Sequence, residues 1–152
     1  MYKIFLVIIL LVAAGYYLVP KYFPLLFSQP VGEREYATVR IAGENFKLEI
    51  ADTREKRVKG LSGRNELASN EGMIFIFDEV GSHGITMRGM RFPLDIIWLR
   101  NNKVVEITDN VYPDTGFEPK VYYSDLQVDA VIELNAGAAG KLGLKVNDHL
   151  SW

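Results

Sequence analysis

The sequence predicts a mainly β fold: a compact β-sandwich or barrel with two short helices, preceded by an N-terminal transmembrane helix. Three observations predict it. Short apolar runs, alternating or dense, recur after residue 36 and are separated by Gly-, Asn- and Pro-containing turns. Helix punctuation occurs at only two places in that region, near residues 52–60 and 135–143. Finally, Ile4 to Val19 is a run of 16 residues without a charge at the extreme N-terminus.

At 152 residues, 49% of them hydrophobic, the chain has material for one core and little more. Residues 1 to 30 carry only Lys3 and Lys21. Residues 31 to 152 carry 15 Lys or Arg against 19 Asp or Glu, a net of −4. That balance suits a soluble domain and argues against a nucleic-acid surface, which needs a basic field to offset phosphate. There is no cysteine, so disulfides, thiolate metal sites and a Cys nucleophile are excluded.

Lys3 precedes the uncharged run and Pro20-Lys21 follows it. Met1 to Val19 nearly supplies the roughly 20 apolar residues of a spanning helix, and Tyr16, Tyr17 and Tyr22 suit an aromatic belt. Residues 1–27 are therefore expected to be a membrane anchor. A cleaved signal peptide with Ala13-Ala14-Gly15 as its small-residue site is the rival reading. Residues 28–34 read as a tether and 35–152 as the β domain. The expected location is the cytoplasmic membrane, single-pass, with the C-terminal domain extracytoplasmic, or secretion if the segment is cleaved.

Val39 and Ile41, then Phe46, Leu48 and Ile50, alternate with polar residues around Gly43-Glu44-Asn45, which predicts a hairpin. Asp52-Thr53-Arg54-Glu55 resembles a capping box opening a short charged helix to about Lys59, with Gly60 as its C-cap. Met73 to Phe77 reads as a buried strand. Leu94 to Leu99, introduced by Pro93, turns at Arg100–Lys103 into Val104 to Ile107 as a second hairpin. Residues 109–125 form a long loop with four aromatics. Ala130 to Leu134 is a third buried run. Asn135 is placed to cap a small helix ending at Gly143, and Val146 to Leu150 is a last short strand.

Several of these segments together resemble the DUF192 family (also called UPF0127), a prokaryotic domain of unknown function. They are Ala51-Asp52-Thr53, Lys59-Gly60-Leu61-Ser62-Gly63-Arg64 and Glu71-Gly72-Met73-Ile74-Phe75-Ile76-Phe77. Met87-Arg88, Phe92-Pro93-Leu94-Asp95-Ile96-Ile97-Trp98, Val131-Ile132-Glu133-Leu134-Asn135-Ala136-Gly137 and Leu142-Gly143-Leu144 follow in order. Where the family typically shows a Trp before the Met and Asn-Thr after the basic residue, this chain has Thr86, Gly89 and Met90. The resemblance implies a compact, mainly β domain, often exported, and no established activity.

Asp95 interrupts a strand that otherwise reads as buried, so its carboxylate must be paired or hydrogen-bonded. It is read either as a functional acid, base or ligand contact, or as a clamp on backbone N–H groups. Glu133 poses the same question. With alternation, Ile132 and Leu134 face the core while Glu133 and Val131 share the other face, a groove or plain solvent. Arg64, Met87, Arg88, Asp95 and Glu133 are the ligand-binding candidates, with Arg91 as a further cation near Asp95. Asp95 with Glu133 would be the carboxylate pair of a hydrolase. His83 and His149 lack a metal-ligand pattern, no G-x-S-x-G elbow or phosphate loop occurs, and no cofactor or metal is expected. The loop aromatics Tyr112, Phe117, Tyr122 and Tyr123 suit a sugar face or pin the loop to the core.

The expected function is a membrane-anchored, extracytoplasmic binding or accessory module for a polar small molecule, a glycan or a partner protein, with no nucleic-acid partner. The alternatives are a hydrolase using Asp95 and Glu133 as acid and base, and a purely structural envelope domain.

Overall fold

The alternation at Val39, Ile41, Phe46 and Leu48 sends all four side chains to one buried face of a hairpin, β1 (Tyr36–Ile41) and β2 (Glu44–Ala51). The computed structural model describes residues 34–152. The expected membrane segment lies outside the described residues, and among those described no helix is long and apolar enough to cross a membrane. The fold is mainly β, with a mixed sheet and two short helices.

After β2 the chain forms α1 (Arg54–Lys59), then β3 (Glu71–Gly81) and the short β4 (Ile85–Thr86). The hairpin β5 (Leu94–Arg100) and β6 (Lys103–Val111) follows, then β7 (Val121–Tyr122), β8 (Val128–Asn135) and α2 (Ala138–Leu142). Six strands make one sheet in the order β1-β2-β3-β8-β5-β6, while β4 and β7 pair separately. Among the described strands only β2 and β3 pair in parallel, and α1 lies in the crossover between them. A parallel pair needs such a crossover, whereas the antiparallel hairpins close through tight turns.

The sheet is apolar on both faces. Val39, Leu48, Ile74, Ile97, Leu99, Ile132 and Leu134 build one layer, completed by Ala139, Leu144 and Leu150 from the C-terminal segment. Met73, Phe75, Ile96, Trp98 and Val131 point the other way and are covered by Leu61, Ile85 and Met87. This explains why β5 and β8 read as dense runs in sequence: central strands covered on both sides carry apolar residues at nearly every position, Asp95 and Glu133 being the buried exceptions. Gly72 permits the close packing of three strands. A Cβ there would stand 2.5 Å from the Glu133 carbonyl oxygen and 2.7 Å from both Leu48 and Leu134.

The α1 N-cap is Thr53, whose Oγ1 accepts from the Lys56 N–H at 3.2 Å, and Asp52 instead pairs with Lys56 at 2.8 Å. Gly60 closes the helix as expected. The α2 cap is Gly137, not Asn135: the Asn135 amide donates to the Leu67 and Ala68 carbonyls. The last strand expected at 146–150 is instead a strap. Asn147, Asp148 and Leu150 bond to Val104 and Asn102 beside β6, while the Ser151 carbonyl accepts from Arg40 on β1. The strap thereby ties together the two edge strands.

Candidate functional site

Cross-strand register decides what the two buried acids can do. Asp95 stands opposite Leu134, and Glu133 stands opposite Ile96 on one side and Met73 on the other. Leu134 belongs to one apolar layer, Ile96 and Met73 to the other. Directly opposed residues share a face, so Asp95 and Glu133 project from opposite faces of the sheet. They do not form a carboxylate pair.

Asp95 is fully buried and its oxygens accept three backbone N–H groups: Asn110 at 2.9 Å, Gly137 at 3.0 Å and Ala139 at 2.9 Å. It thus caps the start of α2 from a strand more than 40 residues away and fixes the end of β6 as well. Charge-assisted bonds to orphan helix N–H groups are the strong kind. The clamp reading accounts for every contact Asp95 makes.

Glu133 is different. It is 4% exposed, yet among the described residues no ion pair reaches its carboxyl, and only burial and the charge of Arg64 act on its ionisation. No fully sealed side-chain polar atom lacks a partner in the described residues, so the Glu133 oxygens keep their sliver of exposure, on the cavity side. Burial pushes its pKa up from 4.5 to about 8, with Arg64 pulling weakly the other way. Arg64 is itself engaged: its Nη2 donates to Glu49 Oε2 at 2.6 Å.

Glu133 belongs to the wall of a half-open cavity of about 640 Å³. The α1 residues Arg54, Arg57, Val58 and Lys59 border it, with Gly60, Leu61 and Ser62 just beyond. Phe75 and Phe77 of β3, Gly84 to Thr86, and the segment Arg88-Gly89-Met90 complete the lining. Arg57 is held by the carbonyls of Asp52 and Ile76 at 2.7 and 2.8 Å, and lies over the Phe77 ring. The Ser62 hydroxyl donates to the Arg88 carbonyl at 2.8 Å, pinning the two sides of the opening together. By contrast, Arg54, Lys59 and Arg88 make no ion pair among the described residues.

Of the five residues singled out in sequence, Arg88 and Glu133 therefore meet in the cavity. Arg64 stands near Glu133 but is paired with Glu49, Met87 is sealed in the apolar layer, and Asp95 is on the far face. Arg91 binds the Asn65 side chain. Sequence reasoning missed Arg54, Arg57 and Lys59, which read as a solvated helix, and Phe75 and Phe77, which read as core. The signal that could have found them was charge density: α1 carries four basic residues in six positions, more than a solvated helix requires.

His83 stacks on Phe77 with ring centroids 3.7 Å apart and shares a hydrogen bond with the Glu79 carbonyl. The stretch 109–125 expected as one long loop is broken up: β6 runs on to Val111, which is buried, and Val121–Tyr122 forms β7. Of the four aromatics, Tyr112, Phe117 and Tyr123 are exposed while Tyr122 packs against the core. Asp114 holds the turn between β6 and β7. Its carboxylate accepts from the N–H groups of Gly116 and Lys120, which hold its pKa below the usual range.

The same architecture occurs in solved structures. A protein of unknown function from Novosphingobium aromaticivorans DSM 12444 superposes with a TM-score of 0.73 at 32% identity, covering 82% of this chain and 90% of that one. A putative transcription regulator from Sinorhizobium meliloti 1021 gives a TM-score of 0.70 at 28% identity, covering 79% and 97%. No protein with a curated description matches the chain. The family model described as "Uncharacterized ACR" matches residues 37–152, essentially the whole β domain, and the chain belongs to this family, DUF192.

Proposed function

We propose that the domain is a non-catalytic binding module for a small polar molecule, held at the outer face of the cytoplasmic membrane by its N-terminal segment. The observation that carries the binding reading is the cavity beside α1, with an unpartnered buried carboxyl in its wall and free cations at its opening. A purely structural domain has no need to keep an acid buried without a partner, because that arrangement destabilises the fold. A hydrolase of the paired-acid type needs a second carboxylate beside Glu133, and Asp95 lies across the sheet. The membrane location is supported by the uncharged run Ile4–Val19. A role in transcription, which the name of the Sinorhizobium protein suggests for that protein, is opposed in this chain by the net charge of −4 over residues 31–152.

Thr86→Trp tests the binding reading. Thr86 is exposed and lines the cavity, so an indole there fills the opening without disturbing the core. A ligand-observed NMR screen of small carboxylates and monosaccharides is expected to yield binders to the natural chain that are lost with Thr86→Trp. Binding that survives the plug would place the ligand elsewhere. Fractionation of the full chain with membranes, its N-terminus intact, is the expected result for the anchor. A soluble species beginning near Tyr16 would refute it.

A further inference from the structure

The unusual combination in this cavity is one of opposites: free positive charge at the opening, apolar walls, and a lone acid buried within. A simple anion would be satisfied at the rim and gain nothing from the walls. A cation drawn to an ionised Glu133 would have to pass Arg54, Lys59 and Arg88. A purely apolar ligand would leave the carboxyl desolvated and unbonded.

Resting on the reading of this cavity as a binding site, we infer that its ligand is an amphipathic organic anion. Its anionic group sits among Arg54, Lys59 and Arg88, its apolar body lies against Phe75, Ile85 and Met90, and its buried tip is a hydrogen-bond acceptor met by the Glu133 carboxyl as donor. Geometry supports each part. The three cations are exposed and make no ion pair among the described residues, so they are free to meet an anion. Phe75 and Ile85 are buried side chains with a face on the cavity. Glu133 is held between Met73 and Ile96, which offer no polar group, so a bonding partner has to come from the cavity side.

Donation requires the protonated acid, and the raised pKa of Glu133 supplies it at neutral pH. The charged groups around it are Arg64 from the segment after α1, Arg54, Arg57 and Lys59 from α1 or its end, and Arg88 from the segment after β4. Glu49 on β2 lies in the same cross-strand row, beyond Met73, and neutralises Arg64. Among these groups Glu133 is the one that burial moves into the range between pH 6 and 9. Above pH 8 the donor is lost and an anion replaces it, facing the acceptor.

The test uses the full chain in phosphatidylcholine nanodiscs and three probes of nearly equal shape, measured by calorimetric titration. 4-Acetylbenzoate has both the charge and the acceptor. 4-Isopropylbenzoate lacks the acceptor, and 4-acetylbenzamide lacks the charge. At pH 6 the first is expected to bind about five- to tenfold more tightly than the second, and several-fold more tightly than the third. Raising the pH to 9 is expected to weaken 4-acetylbenzoate about tenfold. Glu133→Gln, which keeps a donor but cannot ionise, is expected to abolish that pH dependence. Glu133→Leu, tolerable in an apolar layer, is expected to abolish the preference for acetyl over isopropyl. Equal binding of the two benzoates, or pH-independent binding by the natural chain, would overturn the inference while leaving the cavity as a binding site. No binding by any probe, or binding unchanged by Thr86→Trp, would overturn the inference and the reading beneath it.

Discussion

Asp95 and Glu133 lie on neighbouring strands and are both buried, but their surroundings give them opposite effects on stability. Asp95 replaces lost water with three N–H donors. Asp95→Asn keeps the shape but leaves a single acceptor oxygen, so at least one of those donors loses its partner. The expected loss is about 1–3 kcal/mol in denaturant unfolding, with cavity binding unchanged because Asp95 lies across the sheet. Glu133 has no such compensation, and its folded-state pKa is raised from 4.5 to about 8. A carboxyl shifted that way adds no pH-dependent penalty while protonated in both states, below pH 4.5. Its penalty grows as pH rises towards 8 and is constant above that. Glu133→Gln removes this slope, and at pH 8 to 9 it is expected to be more stable than the natural chain by on the order of 3–5 kcal/mol. A stability curve with the same slope in both proteins would show that the acid is already ionised when folded. The sequence marks both acids as anomalies in apolar strands. It does not tell them apart, because the donors that satisfy Asp95 come from Asn110, Gly137 and Ala139, brought in by tertiary packing.

Elements bounded by local chemistry are the legible ones. The first hairpin is marked by alternation around Gly43, α1 ends at Gly60, and β5 starts after Pro93, each readable from neighbours within a few residues. What is lost is whatever one segment supplies to another. Asn135 has the composition of a helix cap, yet it tethers the Leu67–Ala68 carbonyls while Asp95 caps α2. Val146 to Leu150 has the composition of a strand, but lies between β1 and β6 as a strap that touches each at isolated points. The cavity wall is hidden in sequence for the same reason: Phe75 and Phe77 look like any core residues until α1 is seen to leave a gap above them. Gly72 is a position where element packing makes a sharp demand. Gly72→Ala forces a methyl against the Glu133 carbonyl and two leucines, so β2, β3 and β8 must part. A loss of about 1–3 kcal/mol in thermal or chemical unfolding is expected. Because Glu133 follows the moved strand, binding of 4-acetylbenzoate is expected to weaken as well. An unchanged melting curve would mean that the sheet has slack at its centre.

At the scale of the molecule, the question is whether the β domain depends on the apolar segment before it. Both layers of the sheet are assembled from residues between Ala37 and Leu150, and residues 34–152 form a compact unit by themselves. The first residues of that unit are already fixed within it. The Glu35 carbonyl accepts from Ile50 N–H at 2.8 Å, the Glu35 carboxylate pairs with Lys56 at 3.0 Å, and Arg34 approaches Glu49 at 3.9 Å. A domain of this length buries enough of its own surface to fold without disulfides, which the chain lacks. Deleting residues 1–33 is therefore expected to leave one cooperative unfolding transition at nearly the same midpoint. Deleting 1–35 is a sharper probe. It removes the backbone bond to Ile50 and the ion pair with Lys56, for an expected loss of about 1 kcal/mol, most of it from the backbone bond because exposed pairs contribute little. A shortened chain that loses cooperativity altogether would mean that the N-terminal segment completes the core, and that the apolar run Ile4–Val19 has a role in folding. A chain starting at Arg34 that melts like the full-length protein would exclude a folding role for that run, and would make the cavity open to study in solution without lipid.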